Sequence, residues 1–354
     1  MGFQLPSLNV DISTWNTQRA AWIAAAEECL YGTAPEGVSA RGEVLKREPL
    51  PGGQIVKETV RITGAPDAGW HFDVTLFVPS ASGRHPAITW NLFSKKDFDS
   101  CPIDEAVAGR GCIVAGFVRD EVWEDRAGGD SPLRDAYPDC TWGAIRAWAW
   151  AQARVADYLL TRADVDPQKL VCTGFSRGGK VALCCGIFDE RYAVTVPVCS
   201  GAGGCGCFRF LGDRRSFCQD VTKVESLGRI GSVFPFWWTE AFSRFWPSPD
   251  PTQMGLEDSL PFDSHTLKAL IAPRALFSLE GLGDAWSNPR GTALTWRAAQ
   301  EAFNRLGGEN CVRFREGGHA FSQDDWRVLL DFCDRKFAGN APDAAWNSCL
   351  FPEI

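Results

Sequence analysis

Residues 170–180, LVCTGFSRGGK, constrain the fold of this chain more than any other stretch. Leu170, Val171 and Cys172 lead into Gly174-Phe175-Ser176-Arg177-Gly178, and a helix-compatible run, 180–185, follows at once. This is G-x-S-x-G set between a strand and a helix, the context in which that spacing puts a serine at the tip of a sharp turn. Side chains at the two glycine positions would meet the crossing chain, and the turn forces strained backbone on the serine. The exposed hydroxyl then stands at a helix N-terminus, where N–H groups favour a developing oxyanion. Ser176 is therefore expected to be a nucleophile. An ordinary tight strand-to-helix turn is the alternative that the motif alone leaves open.

The surrounding pattern supplies the sheet that such a turn needs. A helix is expected over 17–29, antiparallel strands over 41–62, and an alternating strand over 70–78. Buried strands are expected at 86–92, 112–118, 170–172, 193–198, 275–280 and 311–315. Helices are expected at 104–111, after Thr141, at 266–271 and 291–306, and after Ser322, which opens a capping box with Asp325. Strands alternating with helices at this spacing predict a mostly parallel central sheet with helices on both faces, preceded by the antiparallel strands of about 1–80. The expected fold is thus an α/β-hydrolase, with 1–354 forming a single catalytic domain. The stretch of about 200–263, glycine-rich at first and carrying FPFWW at 234–238, suits a cap-like insertion of loops and helices over the active site. The polar loop 93–97 stands where such a fold supplies a second oxyanion donor.

A serine needs a base, and the base needs an orienting acid. Of four histidines, His71 and His85 lie at strands and His265 opens a helix, so these read as structural. His319, in EGGHAF between the last strand and the last helix, occupies the loop where this fold carries its base. Asp284, on the glycine loop GLGDAWSNP after the strand 275–280, is the expected acid. Glu280, at the end of that strand, is its rival.

A net charge of −8 and a pI near 5.2 argue against nucleic acid or an anionic membrane as partner. The start, MGFQLPSLNVD, has neither a basic n-region nor an apolar h-region. A cytoplasmic location is expected on that ground, with secretion left open should a leader have been removed. Fourteen cysteines then read as reduced, largely buried thiols rather than a disulfide frame. Cys199, Cys205, Cys207 and Cys218 lack the paired spacing of structural zinc, so no metal and no cofactor are expected. Fifteen tryptophans against four tyrosines suit an aromatic pocket, because an indole face packs well on a sugar ring.

Taken together, TWGAIRAWAW at 141–150, GFSRGGK at 174–180, SGAGG at 200–204, LPFDSHTLKALIAPRAL at 260–276, GDAWSNP at 283–289 and GGHAF at 317–321 resemble the glucuronoyl esterase family. These 4-O-methyl-glucuronoyl methylesterases are serine hydrolases of the α/β-hydrolase fold that cleave a glucuronoyl ester linking xylan to a lignin alcohol. The resemblance implies Ser176 as nucleophile, His319 as base, and Arg177 as a side-chain contributor to the oxyanion hole. It implies further that Lys180 reaches the uronate hydroxyls and that Trp286 packs beside the sugar. Many members carry a glutamate acid where this chain has Cys199, and a thiol cannot hold a permanent negative charge; that work then falls to Asp284. Glu225 is the nearest match to a family sugar contact, and Thr222 stands where a glutamine would. The expected substrate is a small-molecule or oligosaccharide ester. Two alternatives accompany it: an esterase for another carbohydrate ester, such as an acetylated xylo-oligosaccharide, and a catalytically weak carbohydrate-binding relative.

Overall fold

The structure, a computed structural model, describes residues 5–64, 69–211, 224–246, 256–348 and 350–351. In chain order the elements are α1 (Trp15–Ala26), β1 (Arg41–Pro49), β2 (Ile55–Thr63), β3 (His71–Pro79), β4 (His85–Leu92), β5 (Ile113–Val118), α2 (Pro132–Ala136), α3 (Ala144–Leu159), β6 (Val165–Phe175), α4 (Arg177–Phe188) and β7 (Tyr192–Val198). They continue with α5 (Leu227–Val233), α6 (Ser264–Ala269), β8 (Ala275–Gly281), α7 (Pro289–Leu306), β9 (Glu309–Arg315) and α8 (Gln323–Phe337).

The described strands form one nine-stranded sheet in the order β1-β2-β3-β5-β4-β6-β7-β8-β9. β1, β2, β3 and β5 pair antiparallel in succession, and every pairing from β5 through β4 to β9 is parallel. The fold is that of an α/β-hydrolase, as the alternation of elements predicts. Burial follows from the pairing. On β2, next to the edge, burial alternates along the strand, whereas β8 is buried at every position because its two faces are both covered.

Two apolar cores flank the sheet. One gathers α1, α3 and α4 against Val60, Ile62, Ala115 and Leu170. The other sets Trp326, Leu329 and Leu330 of α8 against Trp90, Val114 and Phe277. Alternate residues of one strand serve opposite cores, as Ile113 and Val114 do on β5. The chain runs from β4 outward to β5 and then returns past β4 to β6. Strand order therefore reverses between β4 and β6, and in open α/β sheets ligands bind in the crevice at the carboxyl ends beside such a reversal. Ser176 immediately follows β6.

Two sequence expectations shift locally. The first helix ends earlier than 29 as regular α-helix and passes into wider turns at Glu27–Tyr31, and the stretch near 104–111 likewise forms wide turns over Asp104–Gly109. His265 is structural, as expected: Asp263 caps the helix, and His265 is buried with Nε2 3.0 Å from the Pro6 carbonyl.

Candidate active site

The turn at Ser176 has the strain its motif requires. Ser176 adopts φ 58° and ψ −124°, a conformation that few non-glycine residues take. Its neighbours fix that shape. A Cβ on Gly174 would fall 2.1 Å from the Gly178 carbonyl oxygen, and one on Gly178 would fall 2.6 Å from Asn91 Oδ1. Gly174→Ala is therefore expected to destabilise the protein by about 3 kcal/mol, the upper range for overpacking. Urea unfolding checks this, and a change below about 1 kcal/mol would contradict the packing account.

Three loops at the carboxyl edge converge on the serine. His319 Nε2 lies 2.9 Å from Ser176 Oγ, and His319 Nδ1 lies 2.6 Å from Asp284 Oδ2. The Asp284 and His319 loops are laced together by Gly283 N–H donating to the Gly317 carbonyl and Leu282 N–H to that of Arg315. Arg315 holds the histidine loop from below. Its Nε donates to buried Asp325 at 2.8 Å, and its Nη2 donates to the Ala320 carbonyl at 2.6 Å. Asp325 is also the residue that completes the capping box with Ser322. One carboxylate thus starts α8 and anchors the loop of the base.

Burial pushes the Asp284 carboxyl up, but hydrogen bonds from His319 and Ser287 outweigh it and hold the group below its ordinary value. It is an anion at neutral pH. Ser287 was not singled out by its sequence context. Its N–H donates to Asp284 Oδ1 at 3.2 Å, and its hydroxyl donates to the Cys199 carbonyl at 2.9 Å. With that proton committed, Ser287 Oγ offers a lone pair to His319 Nδ1, 3.2 Å away. This arrangement favours the tautomer protonated at Nδ1, which leaves Nε2 free to accept from Ser176.

Cys199 and Glu280 surround this acid without replacing it. The Cys199 sulfur, a carboxylate oxygen of Asp284 and a ring nitrogen of His319 all lie within 4.8 Å of one another. Burial, then the charges of Glu280 and Asp284, push the Cys199 thiol well up, so it stays neutral. The other cysteines of the sequence cluster do not join it: Cys205 Sγ lies 3.3 Å from Ser278 Oγ and Cys207 Sγ 3.4 Å from Asp263. Cys218 and Thr222 fall outside the described residues. All twelve described cysteines are free thiols.

Glu280 points into the protein, with Oε1 accepting from Thr292 at 3.2 Å and Oε2 bare among the described residues. Burial first, and then the Asp284 charge, raise its pKa to about 8. An unfolded glutamate ionises near about 4.3, so between those values the folded state keeps a proton that the unfolded chain releases. Stability is therefore lost as pH rises through that window. Glu280→Gln is expected to raise Tm over wild type by several degrees more at about pH 8 than at about pH 5. Melting curves at both pH values test it, and equal shifts would contradict the assignment.

The other expected residues fall in two groups. Lys180 and Glu225 form a buried pair, Nζ to Oε2 at 2.7 Å, and Lys180 also donates to the Ser200 carbonyl at 2.6 Å. Burial pushes the ammonium's pKa down and the carboxyl's up, each opposed by its partner. Trp286 is half-buried, and its carbonyl accepts the Glu225 N–H at 3.0 Å. Arg177 lies beside Phe93, Phe234 and Trp237, its guanidinium 4.8 Å from the Trp237 ring, and its Nη1 donates to Asp125 at 2.9 Å. The stretch 200–263 thus contributes Glu225, Phe234 and Trp237 from its described parts.

The loop 93–97 departs from its expected role. Its Phe93 N–H donates to Asp97 Oδ2 at 2.6 Å and its Ser94 N–H to the same oxygen at 3.4 Å. The Lys96 and Asp97 N–H groups close onto Ser94. A capping box, Ser94 with Asp97, has absorbed these donors into a short 3₁₀ turn, Lys95–Ser100. The positive groups left next to Ser176 are the Arg177 side chain and the N-terminus of α4.

The chain is similar to known proteins over most of its length. A family model described as glucuronyl esterase, fungi, matches residues 64–307. A 4-O-methyl-glucuronoyl methylesterase of Schizophyllum commune is 30% identical over 255 residues, covering 71% of this chain and 61% of that protein. One from Podospora anserina is 32% identical over 237 residues, 65% of this chain and 45% of that protein. A carbohydrate esterase of an unknown prokaryotic organism is 32% identical over 56% of this chain and 46% of its own length. The chain spans about half the length of these last two. Among solved structures, a glucuronoyl esterase of Caldicellulosiruptor kristjansonii superposes with a TM-score of 0.79 at 27% identity, covering 100% of this chain and 96% of that one. One from Solibacter usitatus shares the fold, with a TM-score of 0.79 at 23% identity, over 95% of this chain and 99% of that one.

Proposed function

Because the chain belongs to the glucuronyl esterase family, we propose that it is a serine carboxylic ester hydrolase acting on esters of a sugar acid, foremost a (4-O-methyl-)glucuronoyl ester. The observation that carries this reading is the continuous hydrogen-bonded line Asp284–His319–Ser176, 2.6 and 2.9 Å per link, at the carboxyl edge of the sheet. In that line Ser176 Oγ attacks the ester carbonyl carbon while His319 Nε2 takes its proton. Asp284 stabilises the imidazolium through Nδ1–H. The oxyanion forms beside Arg177 and the first N–H groups of α4, where fixed positive charge in a site poor in water acts strongly. Collapse of the intermediate expels the alcohol, which receives the proton from Nε2. Water, activated by the same nitrogen, then releases the acid from Ser176. No metal or cofactor enters these steps.

The relatives' names, 4-O-methyl-glucuronoyl methylesterase, support the acyl group. Lys180 and Glu225, a buried ion pair, and Trp286, whose carbonyl accepts the Glu225 N–H, support it from within the chain. A cytoplasmic location forms part of the proposal, and the free thiols of the twelve described cysteines support it. A second reading, an esterase for another carbohydrate ester such as an acetylated xylo-oligosaccharide, draws on Lys180. Two of that ammonium's three protons are already given to Ser200 and Glu225. Hydrolysis of benzyl glucuronate, an aryl acetate and acetylated xylo-oligosaccharides by the same preparation separates the two. A kcat/KM for the glucuronate at least about tenfold above either acetate, some 1.4 kcal/mol of selectivity, is the expected result. Turnover of acetates alone would sink the sugar-acid assignment and leave the esterase.

A further inference from the structure

Two guanidinium groups meet on one carboxylate oxygen next to the nucleophile. Asp125 Oδ2 accepts from Arg177 Nη1 at 2.9 Å and from Arg119 Nε at 3.2 Å. Its other oxygen, Oδ1, accepts the indole N–H of Trp237 at 3.1 Å. Trp237 in turn lies under the Arg177 guanidinium, so Asp125 holds both the cation and the ring that supports it.

Arg119 is the unusual member. It follows β5 directly and has no exposed surface. Its guanidinium carbon sits 3.4 Å from the centre of the Phe93 ring and 5.3 Å from that of Trp148. Among the described residues, its Nη1 and Nη2 have no hydrogen-bond partner. A buried cation with two bare nitrogens costs several kcal/mol unless something offsets it. The side chain is nonetheless charged at neutral pH. Burial lowers its pKa to about 10, with Asp125 raising it and Arg177 lowering it further.

The charge balance explains what such a residue does. Within hydrogen-bonding contact, two cations share one anion. Were Arg119 apolar, Asp125 would close onto Arg177 alone, and a neutral ion pair would face the forming oxyanion. With Arg119 present, Asp125 is fixed in place and its charge is divided, so Arg177 is anchored without being neutralised. Resting on the serine esterase reading above, we propose that Arg119 is a positioning residue that acts through Asp125 to keep the Arg177 guanidinium placed and electrostatically available to the oxyanion. Arg119 itself touches neither substrate nor reacting atoms.

The test compares Arg119→Met, which keeps bulk without charge, with Arg119→Lys, which keeps charge. The readouts are the rate of Ser176 phosphonylation by a fluorophosphonate, and kcat and KM on an aryl acetate, with Tm as a check on folding. Direct loss of an oxyanion donor costs on the order of 10²–10³ in rate, and a group one contact removed is expected to cost about tenfold. Arg119→Met should therefore label and turn over about tenfold slower with KM within about twofold, and Arg119→Lys should regain most of the loss. A folded Arg119→Met with wild-type rates, a loss carried by KM alone, or an Arg119→Lys as slow as Arg119→Met would overturn the proposal. If Arg119→Met does not fold, Asp125→Asn decides: kcat falling at constant KM supports the relay, and an unchanged kcat overturns it. A wild-type protein that is not labelled at all would overturn the esterase reading and this inference with it. Equal labelling of wild type and variant overturns this inference alone.

Discussion

Asp284→Asn is expected to lower kcat by about 10⁴ with little change in KM, the scale seen when an orienting acid is replaced by its amide. The reason lies in the tautomer. The Asp284 carboxylate accepts the Nδ1 proton at 2.6 Å, whereas an asparagine amide at that place can present N–H₂ and turn the imidazole to the form protonated at Nε2. In that form His319 cannot accept from Ser176. Neither neighbour can compensate. Glu280 is turned toward Thr292, with burial raising its pKa to about 8, and the Cys199 thiol is kept neutral chiefly by burial. The Cys199 sulfur does lie within reach of the histidine ring. Adding Cys199→Glu to Asp284→Asn is therefore expected to restore part of the activity, at least about tenfold, by supplying a carboxylate from the end of β7. Steady-state kinetics on benzyl glucuronate, with Tm measured alongside, checks both variants. A loss below about tenfold for Asp284→Asn would mean that another group orients the base.

Arg177→Met should reduce kcat by about 10²–10³, again with KM nearly constant, because the guanidinium is called on only when negative charge develops. The closure of the 93–97 loop makes this effect large. With the Phe93 and Ser94 N–H groups donated to Asp97, the side-chain cation is the group proposed to carry work that a backbone donor does in other hydrolases of this fold. Arg177→Lys is not a conservative change here. The planar group is held by three aromatic rings and an Asp125 contact that suit a guanidinium and not a compact ammonium. It should lose nearly as much as Arg177→Met. A kcat within about threefold of wild type for Arg177→Met would move oxyanion stabilisation to the backbone of α4.

The sheet and the line through Ser176, His319 and Asp284 were legible because each rests on a short-range signal. Gly174 and Gly178 are written into the turn by contacts of 2.1 and 2.6 Å that any side chain would violate. Glycine loops after β8 and β9 mark where a chain at the carboxyl edge can bend toward one point. The rivalry of Glu280 was decided by direction, which periodicity cannot carry: the last residues of a strand alternate sides, and Glu280 faces α7. The capping box that closes the 93–97 loop is written in Ser94 and Asp97, where the fold-level pattern leads to the expectation of an oxyanion donor instead. Asp125, Arg119 and Ser287 carry no local signature. Their importance arises from meetings across 52 residues for Arg177 with Asp125 and 32 for Ser287 with His319, and a single sequence holds no trace of such distances.

Peptide mapping of the fluorophosphonate-treated protein, with and without benzyl glucuronate present, tests the central claim most directly. The account predicts one phosphonyl group per chain, on Ser176, with labelling slowed in proportion to glucuronate ester concentration while the ester lasts. A label on any other residue, or no label, would contradict the nucleophile. A label on Ser176 that benzyl glucuronate does not slow would contradict the claim that this serine serves a sugar-acid ester.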